Sequence, residues 1–169
     1  MKKAFFAIAI FVSSSAILSQ PVYAQVTPKG SVKFNAEDRL AVLNLVRSYG
    51  PTGDEGRLEE WRRLYWDDAV LVLGQGKEAA TPDQAKEHET ARGKRFIEEG
   101  IQRRHFVAAP MISSQTATEI TGQAYVQVIW TKDGKGTLNP VGYYKFVATK
   151  RGDEWRFSRW ELHLDTAGE

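Results

Sequence analysis

The chain has 169 residues, no cysteine, and 23 Lys plus Arg against 21 Asp plus Glu, a formal net charge of +2. That length suits one domain able to bury a core. The near balance of charge leaves no field to attract nucleic acid, and the lack of cysteine excludes a fold held by disulfides.

The first 24 residues begin with Lys2 and Lys3, continue through an apolar run, and end on small residues at Val22 and Ala24. This is the pattern of a secretory signal peptide cleaved before Gln25. Its apolar run stops at Ser13, far short of the roughly 20 residues a membrane-spanning helix needs. Cleavage leaves 145 of the 169 residues, and both leader lysines go with it, so 21 basic residues face 21 acidic ones. The expected location is the periplasm or the extracellular medium, with no membrane contact after cleavage. Residues 25–34 read as a short tether, and a single domain is expected over 35–166.

Asn35 can cap a helix with its side-chain oxygen, and Leu40, Leu43, Val46 and Tyr49 then recur at helical spacing. Gly50 and Pro51 are expected to stop it. A second helix fits Glu55 to Trp66 on the stripe Leu58, Trp61, Leu64 and Tyr65, and Asp67–Asp68 mark a turn into a strand from Ala69 to Leu73. "GQGK", Gly74 to Lys77, lacks the length and hydroxyl residue of a phosphate loop and reads as a turn.

Thr81 and Pro82 start a third helix that reaches about Glu99, with a break or kink near Gly93. Glu87 to Glu89 and the cluster Arg92, Lys94 and Arg95 read as its solvated face. His88 has no second histidine at helical spacing, so no metal site is expected. Four strands follow, Arg104–Ile112, Thr118–Thr131, Val141–Lys150 and Trp155–Leu164, with turns at "KDGKG" and "RGDE" between the last three. The order ααβαββββ predicts an α+β domain, its helices packed on one face of a curved antiparallel sheet.

The stretches "VRSYGPTGDEGRLEEWRRLYWDDAVL", "RRHFVAAPMI" and "VGYYKFVATKRGDEWRFSRW" resemble the SnoaL-like branch of the nuclear transport factor 2-like superfamily, from about Ala36 to Asp165. The resemblance implies a cone whose mouth holds a small-molecule pocket. It also implies a choice among polyketide cyclases, dehydratases, dehydrochlorinases, isomerases and non-catalytic binding or assembly domains, so function has to be argued from the site. Relative to ketosteroid isomerase, Tyr49 stands where a tyrosine donates to the oxyanion, but Leu73 and the region of Tyr143 replace the two aspartates. Relative to the dehydratase and dehydrochlorinase, Asp54 and His105 fall on the aspartate and histidine of a proton-transfer dyad. Trp160 stands in place of the dehydrochlorinase's last-strand arginine, beside Arg159, and "YVQVIW" lacks the dehydratase's second histidine.

A histidine titrates near neutral pH, and a carboxylate on one ring nitrogen fixes its tautomer and stabilises the imidazolium. His105 can therefore be a catalytic base, a ligand contact, or a hydrogen-bonded core residue, and Asp54 can be the base's partner or a turn carboxylate. Trp66, Tyr125, Tyr144 and Trp160 are the candidate aromatic walls of a pocket for a small apolar or aromatic molecule, and Tyr144 falls on the family's "GxY" position. His163 shares a strand face with Glu161 and Asp165, toward solvent or a subunit interface. The leading expectation is a cofactor-free lyase or isomerase using Asp54, His105 and Tyr49. The alternatives are a binding protein without turnover, or an assembly module that forms a homodimer or homotrimer through its sheet.

Overall fold

The structure is a computed structural model and describes residues 35–74 and 77–165. The signal peptide expected at 1–24, the tether at 25–34, the middle of the "GQGK" turn and residue 166 lie outside the described residues. Asn35 caps helix α1 (Ala36–Asp54) by accepting from the backbone N–H groups of Glu37 and Asp38 at 3.0 and 3.2 Å.

The helix does not stop at Gly50–Pro51. Proline removes one backbone donor, but the Ser48 carbonyl accepts from the Thr52 hydroxyl at 2.7 Å, and the Glu55 N–H bonds the Pro51 carbonyl at 3.1 Å. The extra turn buries Thr52 beside Tyr49 and Gly50, and that burial offsets the lost bond. Gly56, at φ +71, ends the turn.

Helix α2 is only Leu58–Arg62. Leu64 and Tyr65, which sequence periodicity places on this helix, are buried by a different element. The Phe157 N–H bonds the Leu64 carbonyl at 2.8 Å, and strand β1 (Tyr65–Leu73) starts there. Asp67 and Asp68 sit in an irregular part of β1 rather than a turn, exposed and paired with Arg62 and Arg151.

Helix α3 (Pro82–Glu99) starts as expected, with a capping box in which the Thr81 hydroxyl accepts from the Gln84 N–H. It runs unbroken through Gly93 and ends at Gly100, φ +67. Strands β2 (Gln102–Gln115), β3 (Glu119–Lys132), β4 (Lys135–Arg151) and β5 (Glu154–Leu164) complete the chain. β4 begins six residues earlier than expected. Asp133 and Gly134, both at positive φ, make a two-residue hairpin turn, and Pro140 is accommodated where the β3–β4 register shifts.

The sheet order is β1-β5-β4-β3-β2. It is mixed rather than wholly antiparallel, because β1 pairs parallel with β5. Helix α1 crosses the inner face, where Val42, Val46 and Tyr49 meet Ala124, Val126, Tyr144, Phe146, Phe157 and Trp160. At the closed end, buried Asp38 accepts from the Trp155 indole at 2.7 Å and from Lys150 at 3.0 Å, tying the first turn of α1 to β4 and β5. The result is the α+β cone expected, with its inner face left open near the C-terminal end of α1.

Candidate functional site

Gly50 brings α1 and β2 together. A Cβ there would stand 3.1 Å from both the Cβ and the carbonyl oxygen of His105, so only glycine permits this approach without displacement. Asp54 lies one helical turn further on the same face, which carries its carboxylate onto β2. Asp54 Oδ1 lies 2.7 Å from His105 Nδ1, and Oδ2 accepts from the His105 backbone N–H at 2.6 Å.

Arg103 is two residues before His105 on β2 and therefore shares its face. Its Nε donates to Asp54 Oδ1 at 3.0 Å and its Nη2 to Glu89 Oε2 at 2.8 Å. Arg92 then takes Glu89 Oε1 at 2.8 Å. Asp54, Glu89 and Arg103 are all nearly buried, so this is an ion cluster inside the protein rather than a surface pair.

Burial pushes the Asp54 carboxyl up, but the hydrogen bonds and charge of His105, with the charge of Arg103, outweigh it and hold the carboxyl below the usual carboxylate range. An ionised carboxylate only accepts hydrogen bonds, so Nδ1 of neutral His105 carries the proton and Nε2 keeps its lone pair. Nε2 has no hydrogen-bond partner among the described residues, and His105 lines an open cavity of about 300 Å³.

Tyr49 and Tyr144 form the cavity floor. The Tyr49 ring meets the His105 ring edge-on at 5.7 Å and lies against the Tyr144 ring at 5.0 Å. Burial, reinforced by the charge of Glu89, pushes the Tyr49 phenol up to about 12. Burial likewise raises the Tyr144 phenol far above its ordinary value, so both stay protonated donors at neutral pH. Leu73, Val126, Val128, Trp130, Leu162 and Pro140 supply apolar walls, and Arg92 and Arg95 stand at the rim.

The other aromatic candidates lie elsewhere. Trp160 is fully buried behind the floor, stacked on Tyr49 and tilted against Tyr144, each at 4.6 Å, and does not line the cavity. Trp66 faces away from it, with its indole N–H on the Thr149 carbonyl at 3.1 Å and its ring between Arg151 and Arg156. Tyr125 is 61% exposed, because odd positions of β3 point to the outer face. His163 also lies on that face, stacked on Tyr143 and bonded to Glu161 at 3.0 Å.

Three cavity residues, Glu89, Arg92 and Arg95, differ from the solvated helix face that their residue types predict. Glu89 is buried, and Arg92 and Arg95 border the cavity. The signal was present in the spacing of Ala85, Glu89, Arg92 and Phe96, which share one helical face. Arg103 was legible only as an inward neighbour of His105. Among the described residues no cluster of three His, Cys, Asp or Glu is arranged to hold a metal ion.

A family model described as a SnoaL-like domain matches residues 35–161. Comparison with curated proteins returns no significant match. Among solved structures, a nuclear transport factor 2-like protein with a cystatin-like fold from Novosphingobium aromaticivorans superposes with TM-score 0.69 at 20% identity, covering 78% of this chain and 84% of its own. A protein from Catenulispora acidiphila in complex with S-DNPA gives 0.67 at 19% identity, over 78% of this chain and 96% of its own. A scytalone dehydratase-like protein from Novosphingobium aromaticivorans gives 0.64 at 21% identity, over 77% and 85%. At these identities the likeness is one of fold.

Proposed function

We propose, from the premise that this chain belongs to the SnoaL-like domain family, that it binds a small apolar or aromatic molecule and performs cofactor-free proton transfer on it. The observation that carries this reading is the 2.7 Å contact between Asp54 Oδ1 and His105 Nδ1, with Nε2 left free at an open cavity. His105 Nε2 takes a proton from a carbon next to an activating group. The C–H electron pair then becomes a double bond, either expelling a leaving group from the adjacent carbon or shifting an existing double bond. In elimination the proton passes from Nε2 to the leaving group; in isomerisation it returns at a second carbon. Asp54 stabilises the imidazolium between the two events, and the neutral Tyr49 phenol donates to the oxygen on which charge develops. The neighbours complexed with S-DNPA and named for scytalone dehydratase are consistent with such a pocket.

The chain acts outside the cytoplasm in this reading, cleaved before Gln25, and intact mass of the extracytoplasmic protein tests that start. The exposed rings of Phe106 and Tyr125 on the outer sheet face supply the surface for a homodimer, testable by light scattering on a Tyr125→Lys variant.

Native mass spectrometry of protein purified from its own host identifies the molecule it carries. With that molecule, His105→Gln should lower turnover, or deuterium exchange at carbon, by at least about a hundredfold while leaving affinity nearly unchanged. Gln can still donate to Asp54, so stability should stay within about 1 kcal/mol. Tight binding by wild type with neither turnover nor exchange would make the chain a binding protein instead.

A further inference from the structure

The donors and acceptors around the cavity are unequally spent. Both oxygens of Asp54 and both of Glu89 are already engaged, by His105, Arg103 and Arg92. Among the described residues, the two carboxylates that line or back the cavity are thus already neutralised by cations or N–H donors, which disfavours a cationic ligand. The cations differ. Arg103 is consumed by Asp54 and Glu89, but Arg92 uses only Nη1, and its other guanidinium donors have no partner among the described residues. Arg95, also at the rim, has its nearest acid, Glu99, at 3.8 Å, beyond hydrogen-bond length.

Charge arithmetic agrees. Arg92, Arg95 and Arg103 balance Asp54, Glu89 and the more distant Glu99 while His105 is neutral, and one positive charge is left once His105 holds a proton. Apolar walls beside that charge focus its field into the cavity. A planar carboxylate satisfies spare guanidinium donors two at a time, which a neutral oxygen does not.

We infer that the ligand of this cavity is an apolar or aromatic monocarboxylic acid, its carboxylate held at the rim by Arg92 and Arg95 and its carbon skeleton directed down the Val126–Val128 wall toward His105. This rests on the proton-transfer reading for the orientation of the skeleton, while the acid class rests on the rim alone.

The test compares trans-cinnamate with trans-cinnamamide, a neutral analogue of nearly the same shape, by calorimetric titration at neutral pH. Cinnamate should bind at least about tenfold tighter than the amide, the equivalent of about 1.4 kcal/mol. Raising salt from about 50 to about 500 mM should weaken cinnamate and leave the amide unchanged. Arg95→Gln, which touches neither Asp54 nor His105, should remove part of the preference, and Arg92→Gln with Arg95→Gln should abolish it. Equal affinities, a preference that survives the double variant, or no binding of cinnamate at about 10 mM would each overturn the inference. His105→Gln separates the two readings, since it should keep the preference for cinnamate while losing proton transfer. A protein that exchanges carbon-bound hydrogen but ignores the carboxylate would lose only the acid class.

Discussion

His105 Nδ1 and Arg103 Nε converge on one acceptor, Asp54 Oδ1, at 2.7 and 3.0 Å. The two side chains leave β2 two residues apart on the same face, so one carboxylate at the end of α1 fastens both. A carboxylate at a helix C-terminus is electrostatically misplaced by itself, and the arginine offsets that cost.

Removing Arg103 takes the shared cation from two buried acids and leaves Asp54 only His105 and Glu89 only Arg92. Arg103→Met should cost about 3 kcal/mol in urea unfolding, as for other broken buried pairs. Glu89→Gln made in that background should cost less than in wild type, with a coupling of at least about 1 kcal/mol. Simple additivity of the two would mean that they do not act as a cluster.

Acid should unfold the protein through the same groups. The Asp54 carboxyl lies below its ordinary 3.8, burial being outweighed by His105 and Arg103. Asp38 lies below it too, chiefly through the Trp155 hydrogen bond. The folded state therefore binds fewer protons than the unfolded one, and the stabilisation is complete above about pH 4 and lost as pH falls through the depressed folded values. Asp54→Asn should be less stable near neutrality and should flatten this acid slope, read from urea midpoints between about pH 6 and pH 2. An unchanged slope would count against the assigned partners.

Gly142 is fixed by close approach rather than by its φ. A Cβ there would lie 2.0 Å from the carbonyl oxygen of His163. Gly142→Ala should therefore lose at least about 2 kcal/mol, because backbone rather than a flexible side chain must move. A melting curve superposable on wild type would contradict the β4–β5 pairing at this point.

Ala109 adopts φ +47 at the register shift of β2, a region that disfavours residues with a Cβ by about 1–2 kcal/mol. The residue is exposed and the substitution leaves no cavity. Ala109→Gly should raise stability by about 0.5–1 kcal/mol, less than the strain because glycine is also freer when unfolded. A lower melting temperature would show that this bulge is not formed as described.

The elements legible in the sequence were those whose causes are local. Asn35 and the Thr81–Pro82–Gln84 box mark helix starts through their own backbone neighbours, and Asp133–Gly134 makes its turn through its own dihedrals. The α+β order follows from such signals, and resemblance added the pairing of Asp54 with His105, which are 51 positions apart. What misled was local evidence overruled from a distance. Leu64 and Tyr65 fit a helical stripe, but Phe157 claims them for a parallel strand; Gly50–Pro51 resembles a stop, but it is where α1 must lie against β2. Glu89 and Arg103 carry ordinary surface chemistry by residue type, and only the closure of α3 over the start of β2 makes them a buried pair. The sequence alone thus determined the elements and their order, because those depend on neighbours within a turn or two. Tertiary structure decided the cavity, its ion cluster and its unspent cations, because burial and partner geometry arise only when distant segments meet.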